Sequence, residues 1–189
     1  MELCAIINPL MLKNIIIRFE MNRQLIEKIK NECLRIEEDA LYSSKSHYNA
    51  SVPWDKCNLI VGVAIAILAA LTGLSAVKDM TIVTIVISII LTILTAINTA
   101  LNPSKKASQY KSAAGEYNNL KNNVRIFREI ELHETNLPDK ELKEKIQVLS
   151  DYRNQLNITS PTIPRWAYKM TQSDFKNDFV TYDVDKENK

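Results

Sequence analysis

In this chain of 189 residues, the densest set of groups able to do chemistry lies in "RIEEDALYSSKSHYNAS". It holds Glu37, Glu38, Asp39, Tyr42, Ser43, Ser44, Lys45, His47 and Tyr48. On a helix Ser43 and His47, four residues apart, share one face. A hydroxyl beside an imidazole is the start of a nucleophile–base pair. A working site also needs a group that orients the base and donors for the developing oxyanion. Neither can be identified beside this pair. No Walker loop, GxSxG, HExxH or GxGxxG occurs in the chain. No catalytic residue is therefore assigned. The cluster is expected to pack against other helices or to bind a partner, with Glu38, Asp39, Tyr42, Ser44, Lys45, His47 and Tyr48 as the candidate contacts.

Metal, disulfide and nucleic-acid chemistry find little support. Cys4, Cys33 and Cys57 form no CxxC pair, and His47 and His133 stand apart from them and from each other. An odd cysteine count at wide spacing argues against a disulfide framework or a zinc site. A reducing cytosol suits the polar part, and neither a metal nor a cofactor is expected. The net charge of +2 is too near neutral to argue for nucleic acid. Lys and Arg are mixed with Asp and Glu, without a basic patch interleaved with aromatics, so direct nucleic-acid binding is not expected.

Polar groups recur where charge is absent. "MTIVTIVISIILTILTAINTALN", Met80 to Asn102, has no charged side chain over 23 residues. Yet Thr81, Thr84, Ser88, Thr92, Thr95, Thr99 and Asn102 follow steps of 3, 4, 4, 3, 4 and 3, which is helical spacing. A hydrocarbon core about 30 Å thick takes about 20 apolar helical residues. This run is long enough, and so is "LIVGVAIAILAALTGLSAV" from Leu59 to Val77. Lys78 and Asp79 are the charges between them. So short a connection predicts an antiparallel hairpin at 57–102, with spans 59–77 and 80–102. Lys45, Lys56, Lys105, Lys106 and Lys111 flank the outer ends, whereas the turn has only Lys78. That asymmetry predicts both termini in the cytoplasm. Trp54 fits an anchor at the membrane interface.

The first span carries a stripe of its own. Gly62, Ala66, Ala69, Gly73 and Ala76 step by 4, 3, 4 and 3. Small residues let a second helix approach closely in lipid, and the second span is the expected partner. The hydroxyl stripe has two readings. It packs on the small stripe, each hydroxyl bonding the carbonyl one turn back. Alternatively, it lines a water-filled path formed by several hairpins, with Asn98 and Asn102 at the mouth.

Polar segments flank the hairpin. Ile26, Ile29, Cys33, Ile36 and Ala40 before it, and Tyr110, Ala113, Tyr117, Leu120, Val124 and Phe127 after it, step by threes and fours. These are narrow seams of coiled-coil type. They predict a cytoplasmic helix at 21–56 and cytoplasmic helices at 103–176, forming an antiparallel stalk. Pro53 and Pro103 are placed to kink or reset a helix at each membrane face. Pro138 and nearby acids start a further helix carrying Leu142, Ile146, Leu149 and Leu156. "TSPTIPRWAYK" reads as a break and a short aromatic helix, and the tail 177–189 as disordered. The apolar extension 1–20 lacks the features of a signal peptide. It either lies on the membrane surface or precedes a true start at Met21.

"RIEEDALYSSKSHYNASVPW", the two-span hairpin, and "IPRWAYK" followed by "YDVD" together resemble the SLATT domain, the SMODS and SLOG-associating two-transmembrane effector domain. The resemblance runs from Arg23 to Asp185. It implies an all-α membrane protein acting as an effector in a prokaryotic antiviral or conflict system, in the inner membrane. Such effectors are thought to oligomerise into pores when a partner is triggered. That partner would be a nucleotide synthetase, a nucleotide-sensing protein or a reverse transcriptase. The rival expectation is a membrane-anchored coiled-coil scaffold that recruits a partner without conducting. A third is a membrane-bound enzyme using Ser43 and His47.

Overall fold

The structure is a computed structural model that describes residues 9–78, 80–133 and 138–177, with side chains from residue 20 onward except at 133. The first eight residues, and the tail from 178 that includes "YDVD", lie outside it. The described chain is helical, and no strand occurs among the described residues. Helix α1 runs Pro9–Val77, α2 Thr81–Leu101, α3 Pro103–Glu129, α4 Asp139–Thr159 and α5 Arg165–Lys176, with one 3₁₀ turn at Glu131–His133.

The two prolines behave differently. Pro53 does not reset the chain: α1 passes through it as one helix. A mid-helix proline removes the bond to the carbonyl four residues back. Pro53 is itself exposed, and the carbonyl that loses its bond is that of Asn49. Pro103 does mark a boundary. Asn102 before it adopts a left-handed conformation, φ 43 and ψ 63, and donates its N–H to the Asn98 carbonyl at 2.9 Å. Its side-chain Oδ1 then accepts from the Lys105 N–H at 3.1 Å. Asn102 thus closes α2 and caps α3, with Pro103 at the first helical position, where a missing N–H costs nothing.

The chain divides into two compact units, 1–41 with 116–159 and 42–115 with 160–189. The core of the first is built from the predicted seams. Ile29, Cys33, Ile36 and Ala40 of α1 meet Tyr117, Leu120, Val124 and Phe127 of α3, and Leu132 of the 3₁₀ turn with Leu142 and Leu156 of α4 complete the cluster. The packing is that of three helices rather than of a two-helix stalk, because the apolar face of α4 supplies a third wall. α4 begins as expected, with Asp139 and Glu141 in its first turn and Pro138 accepting the Glu141 N–H at 2.9 Å.

Polar contacts rim this core. Arg128 makes two parallel bonds to Glu37, Nε to Oε1 at 2.7 Å and Nη2 to Oε2 at 3.1 Å. Both side chains are only 16% exposed, so this bidentate pair is screened less than a surface pair. Tyr117 donates to Asn157 at 2.8 Å. Burial, followed by the charge of Glu37, pushes the Cys33 thiol up to about 12. Cys33 is an inert core residue.

A charge in this core has nowhere to go. Val124 is fully buried, so Val124→Asp should destabilise the chain by roughly 3 kcal/mol or more, and Leu120→Ala by about 2–5 kcal/mol. The exposed control Glu27→Gln should stay within about 0.5 kcal/mol of the parent. Thermal melting followed by circular dichroism in detergent reads all three. Wild-type melting of both core variants would refute the packing.

Candidate membrane hairpin and the helices that hold it

In the second unit, two helical segments are long and apolar enough to cross a membrane. Their large side chains face outward. Ile60, Ile67 and Leu74 of α1 and Ile82, Ile89 and Ile93 of α2 are each about half exposed or more. That surface is incompatible with water over this area and suits lipid.

The sides that the two segments turn inward can be read from partial burial. On α1 they are Val61, Ala64, Ile65, Leu68, Thr72 and Ser75, and on α2 Thr84, Ile87, Ser88, Leu91, Leu94 and Asn98. At the turn end, Thr84 donates to Ser75 at 2.8 Å. The small stripe is elsewhere. Gly62, Ala66, Ala69, Gly73 and Ala76 are exposed, and a Cβ built on Gly62 or Gly73 meets nothing within 4 Å. The second span is therefore not the partner of this stripe. A larger apolar set a third of a turn away takes that role.

The hydroxyl stripe divides. Thr84 and Ser88 are half-buried on the flank of the hairpin contact, while Thr81, Thr92, Thr95, Thr99 and Asn102 are exposed. Several hydroxyls bond carbonyls of their own helix: Thr84 to Met80 at 3.1 Å, Thr92 to Ser88 at 2.7 Å and Thr99 to Thr95 at 2.9 Å. At about 100° per residue, this stripe lies roughly 60° around α2 from the packed side, and the small stripe roughly 110° around α1. Both offsets run in the sense of the helical advance. Because the helices are antiparallel, both stripes come out on the same side of the hairpin.

The polar motif before the hairpin forms two contact lines on α1. Ser44, His47, Ser51 and Trp54 step by 3, 4 and 3. Ser44 donates to the Ala114 carbonyl of α3 at 2.8 Å, His47 lies 5.9 Å from the Tyr110 ring, and the Lys106 ammonium sits 4.3 Å over the Trp54 ring. Tyr42, Ser46, Asn49 and Pro53 step by 4, 3 and 4 and meet α5. Tyr42 stacks on Phe175 at 4.1 Å. Ser46 bonds Thr171 at 3.0 Å, and Asn49 donates to Thr171 at 3.1 Å. Thr171 in turn donates to the Ala167 carbonyl at 3.1 Å, so this buried polar knot is well bonded.

Of the candidate partner contacts, Ser44 and His47 are buried inside the fold and are not open to a partner in this conformation. Lys45 pairs with Asp174 at 3.8 Å. Tyr48 stays 44% exposed. Asp39 pairs with Arg153 at 3.3 Å in the first unit, where Glu38 is exposed. Sequence reading missed Ser46, Asn49 and Thr171 as a set. The step from Tyr42 to Pro53 was the available signal, but nothing in it names α5 as the partner. Among the described residues no group of acidic, His and Cys side chains could hold a metal ion.

A family model described as the SMODS and SLOG-associating 2TM effector domain, in its fungal version, matches residues 41–159. That is more than half of the chain, and the chain belongs to this family. The match takes in the hairpin and most of the first polar motif and ends before α5. No curated protein and no solved structure is significantly similar to the chain.

Burial of His47 lowers its pKa from 6.5 to about 4. The unfolded chain therefore binds a proton between these values that the folded chain does not. Stability from this residue is full above pH 6.5 and falls as pH drops towards 4, by up to about 3 kcal/mol. Chemical denaturation at pH 7 and pH 5 reads the difference. In His47→Gln the acid-side loss should shrink, and an unchanged pH profile would remove His47 as its source.

Proposed function

We propose that the chain is a membrane effector of a conflict system whose hairpins assemble into a pore. Membership of the family supports the effector role. The observation that carries the pore is the placement of the two stripes. Neither is used up inside the hairpin, and both open on one side, where another hairpin can reach them. The small stripe would seat a neighbouring helix closely. The hydroxyls would then border the enclosed water, without a fixed charge to select ions. The matched family version is the fungal one, so the reading is framed on a cellular membrane in general rather than on a bacterial inner membrane. Both termini are assigned to the cytoplasm by the lysine asymmetry. The trigger is assigned to a separate nucleotide-signalling, nucleotide-sensing or reverse-transcriptase partner. No catalysis is assigned to the chain.

The two stripes give separable tests in dye-loaded vesicles, with assembly followed by crosslinking. Gly73→Leu places a side chain into open space on the lone hairpin, so insertion should be normal. It should block close approach of a second copy and abolish both crosslinking and leakage. Thr92→Leu with Thr95→Leu leaves the small stripe intact. It should retain crosslinking and lose leakage, because an apolar, narrower path favours dewetting. If the leucine pair assembles and leaks like wild type, the hydroxyls do not line the path. If wild type never leaks, even with its partner and messenger supplied, the scaffold reading replaces the pore.

A further inference from the structure

Helix α5 is tied to α1 in a fixed sense. Phe175 stacks on Tyr42, while Thr171 bonds Ser46 and Asn49 further along. The two helices are therefore antiparallel, and the start of α5 comes level with the last polar turn of α1 before the hairpin. There Asn49, Val52, Pro53, Lys56, Trp166 and Met170 line an open groove of about 380 Å³. Val52, Trp166 and Met170 are 46%, 44% and 50% exposed. Lys56 stands three residues before Leu59, where the apolar span begins, a rise of about 4.5 Å. The groove thus lies at headgroup depth, where a tryptophan with one apolar and one wet edge is at home.

The charges at this depth leave a positive excess. Lys56 of α1, Lys105 and Lys106 of α3, and Arg165 of α5 all lie at this end. The acid among them, Asp55, is paired with Lys111. Asp174 is at the far end of α5, beside Lys45. We infer that the start of α5 lies at the membrane interface, and that its Trp166–Met170 flank and Lys56 form a binding groove for an anionic phospholipid of the membrane that the hairpin crosses. The apolar flank takes the upper acyl chain and the ammonium takes the phosphate. A charge near an anionic surface enriches such a lipid about fivefold, the equivalent of ~1 kcal/mol per cation. The membrane itself is the occupant that continuity with the span dictates. The inference rests on the hairpin crossing a membrane and not on its conducting.

The chain has two tryptophans, Trp54 and Trp166, which makes the groove directly readable. In Trp54→Phe, Trp166 is the remaining indole. The full chain is reconstituted in vesicles of equimolar phosphatidylcholine and phosphatidylglycerol, and one lipid at a time is brominated near the headgroup end of its acyl chains. Trp166 emission should be quenched by both, and clearly more by brominated phosphatidylglycerol. Lys56→Gln in the same background should reduce that preference while leaving quenching by phosphatidylcholine in place. Subtracting the signal of Trp166→Phe from wild type gives the same quantity without touching Trp54. Emission insensitive to either brominated lipid would overturn the interfacial placement. Equal quenching by the two lipids would overturn the anionic groove. Neither result depends on dye leakage, so failure here and failure of the pore are separate outcomes.

Discussion

The second unit depends on one constraint: both spans must satisfy their backbone polar groups internally, because the hydrocarbon offers no partners. Two helices joined by a three-residue turn meet it, and the turn makes them antiparallel. α1 and α3 must then meet the membrane side by side, at a spacing fixed by what packs between them. Serine and alanine at Ser44, Ala50 and Ala114 keep that spacing short, and the Ser44 hydroxyl bonds the facing carbonyl directly. The aromatic and cationic pair of Trp54 and Lys106 follows at the mouth of the hairpin. Small residues at this level are thus a consequence of the turn dozens of residues away.

The hairpin was legible because hydropathy over two adjacent runs leaves few alternatives, and the first unit because its seams keep helical period. What periodicity cannot give is the partner of a face. Gly62 to Ala76 announce a close helix contact, and so does the larger set Val61 to Ser75. The structure places the second set on α2, where Leu68 and Leu91 bury more apolar area than glycine can offer. The sequence of α5 shows an aromatic helix but not that Thr171 will meet Ser46, a contact across 125 residues. Pro53 and Pro103 look equivalent in the sequence. They differ because Asn102 can adopt a left-handed backbone and cap the next helix, whereas Ser51 and Val52 continue α1.

Asn102 shows how one residue serves both sides of a reading. It was singled out as a pore mouth, and the structure gives its side chain a cap on α3. The cap takes one lone pair of that oxygen. A side-chain Oδ1 has a second lone pair, and the amide NH₂ is not used by the cap, so the residue can face water without losing the cap. Asn98, half-buried on the hairpin contact, serves the same junction through its backbone, whose carbonyl accepts the Asn102 N–H.

The hydroxyl stripe faces the same demand in two solvents. Under the proposed reading it must tolerate lipid before assembly and water after it. A charged or amide-rich stripe would serve the second state and penalise the first by several kcal/mol per group. A purely apolar stripe would do the reverse. Threonine meets both demands because its hydroxyl donates to the carbonyl four residues back, as Thr92 and Thr99 do. The donor is thereby hidden in lipid, while the oxygen keeps lone pairs that water can use once a path forms. The free-energy gap between the lone and the assembled hairpin then stays small enough for a partner's binding energy to decide it. A switch of this kind needs near balance, since a signal shifts an equilibrium only by its differential affinity for the two states.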